Sequence, residues 1–249
     1  MHLKGSTAII TGAAHRVGRG IALALAEEGC NIIVHYGKSE TKANETVSLL
    51  KELGVEATAY SVNLESPKAI TEFMTNINQN YSYQLLINSA ASFIKSPIQE
   101  TSLLQWETAI NTNVRAPFLL IQQAIDQLNQ FKDSLIVNIA DLSGIYPWLN
   151  FAAHGVSKSG LIHLTKIAAR ELSPRIRVNA IVPGPILPPL GMSESSEIWQ
   201  DMVRNVPLQK SGTPSQIGST VIYLAKNSFI TGTVINVDGG EGLVGPKNH

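Results

Sequence analysis

The chain lacks the features that mark secreted, membrane-spanning or nucleic-acid-binding proteins. Its 249 residues contain a single cysteine, Cys30, so no internal disulfide can form. No stretch approaches the roughly 18 consecutive apolar residues that cross a bilayer. Met1 to Ile10 runs straight into a strand pattern, without the apolar core and cleavage site of a signal peptide. These absences predict a cytoplasmic protein in a reducing compartment. Excess charge is missing too, because 19 Lys and Arg face 19 Asp and Glu. With no net positive field to hold a phosphate backbone or an anionic bilayer, neither nucleic acid nor a membrane is expected as a partner. No metal site is expected either.

What is present is a regular alternation of two hydrophobic periods. Short β-branched, apolar runs at Thr7–Ile10, Asn31–Tyr36, 56–61, 84–88, 135–140, 177–181 and Val234–Val237 read as strands buried on both faces. Apolar residues at helical spacing fill 18–28, 40–53, 67–78, 103–130 and Ala152–Leu172, with a short helix at Glu197–Arg204. Strand and helix in alternation predict an α/β fold, a Rossmann-type doubly wound parallel sheet of about seven strands flanked by helices. The length suits one well-packed unit, so residues 1–249 are read as a single domain. A proline-rich irregular segment from Pro183 to about Ser196 interrupts the pattern. A loop that long in a compact domain is usually a lid or disordered, and we read 183–210 as the substrate loop.

Three positions carry chemistry by their placement. Thr11, Gly12, Arg16, Val17 and Gly18 lie between the first strand and the first helix. There glycine lets backbone approach a pyrophosphate, and the helix N-terminus offers it free N–H groups. The end of the second strand lacks the carboxylate that would bind the ribose 2′-hydroxyl of NAD. His35, Tyr36, Lys38 and Ser39 stand there instead, and a cation with a hydroxyl favours the 2′-phosphate of NADPH. Finally, His154 and Lys158 are four residues apart on one helix face, so an imidazole and an ammonium can point into one cavity, with Asp141 upstream.

Taken with Asn88-Ser89-Ala90, Asn113, Arg177-Val178-Asn179 leading to Pro183-Gly184, and Val237-Asp238-Gly239-Gly240, these signals span nearly the whole chain in order. In them the sequence resembles the short-chain dehydrogenase/reductase family. Within that family it is most similar to pteridine reductases, which share an arginine in the glycine turn, the His-Tyr-x-Arg/Lys-Ser run and an aspartate at the position of Asp141. The resemblance implies NADPH or NADP as cofactor, held by the residues above with Asn63, Leu64, Asn88, Ser89, Ala90, Lys158, Pro183 and Gly184. It implies a substrate pocket of Arg16, Phe93, Asp141, His154 and Pro185, in which Phe93 stacks a planar ring against the nicotinamide. It implies Asp141, His154, Lys158 and Asn113 as catalytic residues, the last keeping a water relay behind the lysine. A homotetramer or dimer, assembled through 103–130, Ala152–Leu172 and the C-terminal segment, follows from the same source.

The sequence departs from that family in having His154 where the tyrosine acid stands, and Asn63 where an aspartate contacts adenine. Asn63 retains a carbonyl that can accept from the adenine amino group. A histidine donates a proton only when cationic or as a relay. Lys158 and burial disfavour the cation, whereas a carboxylate at Asp141 favours it. The expected activity is reduction of a C=N or C=O bond in a small planar substrate, a pteridine or dihydropteridine, with Asp141 and His154 sharing the donor role. Two alternatives stand beside it: a carbonyl or 3-oxoacyl reductase, and an NADP(H)-binding regulatory subunit without turnover.

Overall fold

In the computed structural model, which describes residues 1–244, seven strands form one sheet in the order β3-β2-β1-β4-β5-β6-β7, with every pairing parallel. The strands are β1 (Thr7–Ile10), β2 (Asn31–Tyr36), β3 (Ala57–Ser61), β4 (Leu85–Asn88), β5 (Ser134–Ile139), β6 (Ile176–Pro183) and β7 (Val234–Val237). All seven expected strands are present, with β6 running two residues further into the Pro183 loop than its apolar run suggested. Residues 245–249, the last of the expected single domain, lie outside the described residues.

Nine α-helices among the described residues connect or end these strands: α1 (Arg16–Glu27), α2 (Glu40–Glu52), α3 (Pro67–Asn80), α4 (Leu103–Ile110), α5 (Ala116–Leu128), α6 (Ala152–Leu172), α7 (Glu197–Arg204), α8 (Pro214–Lys226) and α9 (Glu241–Val244). Their starts follow from local chemistry. Ser66 accepts from the Ala69 N–H ahead of Pro67, and Ser102 with Gln105 closes a reciprocal capping box at α4. The apolar run 103–130, read from the sequence as one helix, is continuous but changes winding. A π-turn at Asn111–Arg115 joins α4 to α5 and carries the buried Asn113. Such bulges concentrate at functional sites because they redirect a side chain without ending the helix.

Helix α8 was not foreseen from the periodicity. Its start is nevertheless written in Thr213-Pro214-Ser215-Gln216, where Thr213 and Gln216 form a second capping box. Two aliphatic layers sandwich the sheet. One buries Ile10, Ile21, Leu25, Val34, Leu85, Ile217 and Val221, and the other Ile9, Ile70, Met74, Leu86, Leu120 and Ile136. Chain direction across the sheet reverses between β1 and β4, and in open parallel sheets the carboxyl ends at such a reversal bound the ligand crevice.

Candidate active site

The crevice is built first by the turn after β1. Gly12 has φ +68 and Gly18 packs on it: a Cβ on Gly12 would lie 2.9 Å from Ala90 Cα, and one on Gly18 would lie 2.3 Å from the Gly12 carbonyl oxygen. Only glycine allows this approach of backbone to backbone. Thr11 Oγ1 accepts from the N–H groups of Ser89 (2.9 Å) and Ala90 (3.0 Å), which ties the β1 and β4 turns together. His35 supports the turn from beneath. Its Nδ1 accepts from the Gly12 N–H at 3.1 Å, while Nε2 donates to the Val62 carbonyl at 3.1 Å. Buried with one ring nitrogen accepting and one donating, His35 is neutral, and burial pushes its pKa down to about 4.

Arg16 opens α1 with φ +56, a left-handed conformation that costs a side-chain-bearing residue about 1–2 kcal/mol and is retained where a site demands it. Its guanidinium donates to the carbonyls of Pro188 (2.8 Å) and Leu187 (3.4 Å), latching the proline-rich loop after β6 to the turn. His15 precedes α1 without a side-chain cap, so the first N–H groups of the helix stay open toward the crevice. Burial, then the charges of Lys42 and Arg16, lowers the His15 pKa, which marks a locally positive field. Lys38 is exposed without an ion pair among the described residues, and Ser39 precedes α2 with its hydroxyl uncommitted. Val17, Tyr36 and Ser89 are half-buried around the same opening, whereas Leu64 is buried. Asn63 is exposed, and its carbonyl accepts from the Glu65 N–H at 3.0 Å. Pro183 and Pro185 are half-buried at the end of β6, where Gly184 packs so closely that a Cβ would lie 2.6 Å from Asp238 Cα.

This cradle fits a pyrophosphate-linked dinucleotide. It combines a glycine surface that any Cβ would fill, an uncapped helix N-terminus and, in Lys38, an unpaired cationic side chain at the end of β2.

On the far side of the crevice, Asp141, Asn113, His154 and Lys158 converge. His154 begins the second residue pair of α6, is 1% exposed, and places Nδ1 3.0 Å from the Ser92 carbonyl oxygen. A carbonyl oxygen only accepts, so Nδ1 carries a proton. The other nitrogen, Nε2, is buried without a hydrogen-bond partner and faces Asp141 Oδ2 at 3.7 Å, too long for a hydrogen bond. Asp141 Oδ1 accepts from the Ser143 N–H at 2.8 Å, capping a short 3-10 turn at Leu142–Gly144. Burial works to raise the Asp141 carboxyl, but His154 and Ser143 outweigh it and hold its pKa below the usual carboxylate range.

Lys158 donates to the Ile139 carbonyl at 2.8 Å. Its burial pushes the ammonium down to about 8 against the opposing pull of Asp141. Asn113 uses its whole amide. The carbonyl accepts from Ser92 N–H (2.8 Å), and the amino group donates to Ser92 O and Ser157 Oγ (2.9 Å each). Ser157 in turn donates to the His154 carbonyl at 2.7 Å, so the π-turn, the Ser92 loop and the first turn of α6 form one hydrogen-bonded unit.

Asn138, Thr165, Phe151 and Trp148 lie outside the residues expected from the sequence. Asn88 donates to Asn138 (2.8 Å) and Asn138 to Thr165 (2.9 Å), a buried polar ladder from β4 to α6. Phe151 packs against Trp148 and against Phe93, whose ring meets His154 edge to face at 4.7 Å. The apolar residue one turn before His154 was the available signal for Phe151.

Comparison with known proteins follows the same lines. Residues 12–241 match the family model described as "Enoyl-(Acyl carrier protein) reductase". The chain is 34% identical over 238 residues to 3-oxoacyl-[acyl-carrier-protein] reductase FabG of Staphylococcus epidermidis, covering 94% of this chain and 98% of that protein. It is 30% identical over 248 residues to 3beta-hydroxysteroid dehydrogenase 1 of Eggerthella lenta, covering 97% and 95%. Among solved structures, a blue fluorescent protein from a metagenomic library in complex with NADPH superposes with TM-score 0.90 at 29% identity, covering 97% of this chain and 99% of that one. FolM alternative dihydrofolate reductase 1 of Brucella canis, complexed with NADP, does so with TM-score 0.90 at 28% identity, covering 97% and 96%. The chain is a member of the short-chain dehydrogenase/reductase family.

Proposed function

We propose that this protein is an NADPH-dependent reductase of a C=N or C=O bond in a small planar substrate, a pteridine or dihydropteridine, with His154 and Asp141 as the proton-donating pair. The cofactor is NADP(H), and when bound it supplies the hydride. The Gly12–Gly18 turn and the N-terminus of α1 receive its pyrophosphate, and Lys38 with Ser39 receives the 2′-phosphate. Lys158, anchored through Ile139, presents its ammonium to the nicotinamide ribose.

One observation carries the donor assignment: His154 Nε2 is sealed from water, has no partner, and faces a carboxylate held in its ionised form. Because Nδ1 is committed to Ser92, Nε2 is the nitrogen free to exchange a proton. Asp141 Oδ2, 3.7 Å away, is the charged atom that faces it. After that proton passes to the substrate heteroatom, the neutral ring keeps its Nδ1–H bond to Ser92 and Asp141 stays ionised, so neither group has to rearrange. Phe93 supplies the face against which a planar ring packs, as the likeness to FolM supports.

The FabG relatives favour a competing reading, a 3-oxoacyl reductase at the same pair. NADPH oxidation with a dihydropterin, a 3-oxoacyl thioester and a ketone panel separates the two. Asp141→Ala is expected to lower dihydropterin kcat roughly 10²–10⁴-fold, the usual worth of a positioned acid. Turnover of the thioester alone would replace the pteridine reading. Tight NADPH binding with no turnover, gained on His154→Tyr, would make the protein a non-catalytic subunit. Assembly as a homotetramer or dimer and a cytosolic location belong to the same reading.

A further inference from the structure

Asp141 and His154 are closely enclosed for a pair that must recover a proton after every turnover. His154 is 1% exposed and its Nε2 has no hydrogen-bond partner. Ser143, whose N–H holds Asp141 Oδ1, has its own hydroxyl buried without a partner as well. Unsatisfied buried polar atoms are rare, and two of them beside one carboxylate call for an explanation. Asp141 keeps 21% of its side chain exposed, but a substrate seated on His154 Nε2 stands over the same opening. With substrate in place, a proton has to reach the pair from the protein side.

The element on that side is α9. Gly239 (φ +62) and Gly240 (φ +89) turn the chain out of β7, and the short helix comes down on the loop that starts at Asp141: a Cβ on Gly242 would lie 3.2 Å from Tyr146 Cε2. This packing sets Glu241 beside two other carboxylates, Asp141 and Asp238. The three are not equivalent. Asp238 accepts from the N–H of Gly240 on one oxygen (2.9 Å) and of Gly242 on the other (3.0 Å), which satisfies its charge. Asp141 has the Ser143 N–H and faces His154. Glu241 is half-buried and forms no ion pair or side-chain hydrogen bond among the described residues. No cation offsets it from the surrounding elements. Tyr146 is the other titratable group on the loop against α9, Val206, Pro207 and Leu208 pack under Gly239 and Gly240, and Lys158 on α6 lies beyond Asp141 with its ammonium donating to Ile139. Of three like charges, the one without donors keeps its proton, and burial, then Asp141 and Asp238, pushes the Glu241 carboxyl up to about 7.

We propose that Glu241 acts through Asp141 to return a proton to His154, so that this active site is resupplied from its C-terminal helix. The inference rests on the reductase reading above and holds for either substrate class. Once His154 has protonated the substrate, Glu241 breaks its O–H bond and protonates Asp141 Oδ2, the oxygen that Ser143 does not hold. Asp141 passes a proton to His154 Nε2 and is a carboxylate again. The Glu241 carboxylate then takes a proton from a solvent acid. The net change is one proton drawn from solvent per substrate reduced, with no change of oxidation state in any side chain.

Stopped-flow NADPH oxidation by wild type and Glu241→Gln, with dihydrobiopterin and with acetoacetyl-CoA, tests this. The amide keeps the shape of the side chain but has no acidic proton to release. The variant is expected to keep its NADPH affinity and KM, and to oxidise one NADPH per subunit at the wild-type rate on the proton already stored. It should then turn over roughly tenfold more slowly, a smaller loss than the 10²–10⁴-fold worth of the acid itself. Raising imidazolium buffer at fixed pH should restore the slow phase in Glu241→Gln and leave wild type unaffected. Glu241→Asp, which retains an acid, should show neither the burst nor the buffer response. A Glu241→Gln enzyme with the wild-type steady rate overturns the relay and leaves the reductase reading standing. So does a slow variant without burst or buffer response, because its loss is structural. No turnover of either substrate by the wild type overturns the reductase reading, and the relay with it.

Discussion

His35 shows how one residue supports the site and what that support costs. Its ring accepts from the Gly12 N–H and donates to the Val62 carbonyl, so it must stay neutral, and burial has taken its pKa from 6.5 to about 4. Between those two values the unfolded chain binds a proton that the folded chain refuses. Stability therefore falls as pH falls from 6.5 to 4, by about 3 kcal/mol for this group. Urea unfolding at pH 7.5 and pH 4.5 should show the loss in the wild type, and His35→Asn should be less stable at pH 7.5 but flatter across the interval. Identical pH dependence in both proteins would remove His35 from this role. The side chain could be named from the sequence as part of the nucleotide region. That it acts from beneath the turn could not, because only the register of β2 against β3 brings Val62 to its far side.

At the scale of elements, what was legible followed from local rules. Seven strands and most helices announced themselves by period, and the glycine turn by its place between β1 and α1. The π-turn at Asn111–Arg115 leaves the apolar spacing of 103–130 intact, so periodicity cannot reveal it, although it aims Asn113 at Ser92 and Ser157. The aromatic cluster of Phe93, Trp148 and Phe151 likewise depends on a bridge between Ser96 and Phe151, 55 residues apart in sequence by their numbering, which no local pattern encodes. Helix α8 illustrates a different gap. Its role lies in a close crossing with α1, where a Cβ on Gly218 would lie 2.5 Å from Ala24 Cβ and one on Gly20 would lie 2.2 Å from Pro214 Cβ. Small residues there let two helices approach without intervening side chains, and overpacking such a contact costs roughly 1–3 kcal/mol or more. Gly218→Leu is expected to lower Tm by about 6–12 °C, taking the upper part of that range at about 2–4 °C per kcal/mol for a chain of this size. The exposed neighbour Ser219→Ala should change it little. A Gly218→Leu protein as stable as the wild type would show that the crossing is looser than described.

The whole molecule combines a net charge of zero with charges that are sorted by place. His15, Arg16, Arg19, Lys38 and Lys42 gather at the nucleotide end. At the other end Glu241, with Asp141 and Asp238 near it, has its pKa pushed up to about 7 by burial first and then by those two carboxylates. A neutral protein can thus steer an anionic cofactor to one end of its crevice without an overall positive field. The outer surface is less economical, because Leu103 (71% exposed) and Leu104 (72%) on α4, Phe118 on α5 and Ile167 on α6 leave apolar side chains in water. No helix among the described residues is long and apolar enough to cross a membrane, so a bilayer-spanning helix does not account for them. Burial against another copy, which we propose, would account for them, since each such side chain gains roughly 1.5–3 kcal/mol when fully removed from water. Light scattering on the 26.9 kDa chain should therefore report a homotetramer or dimer at micromolar concentration. Phe118→Glu combined with Ile167→Glu should shift it toward monomer with its circular dichroism unchanged, because both residues are exposed in the subunit and a charge there opposes only association. A wild type that runs as a monomer would leave these apolar residues to a different partner and remove self-association from the proposal.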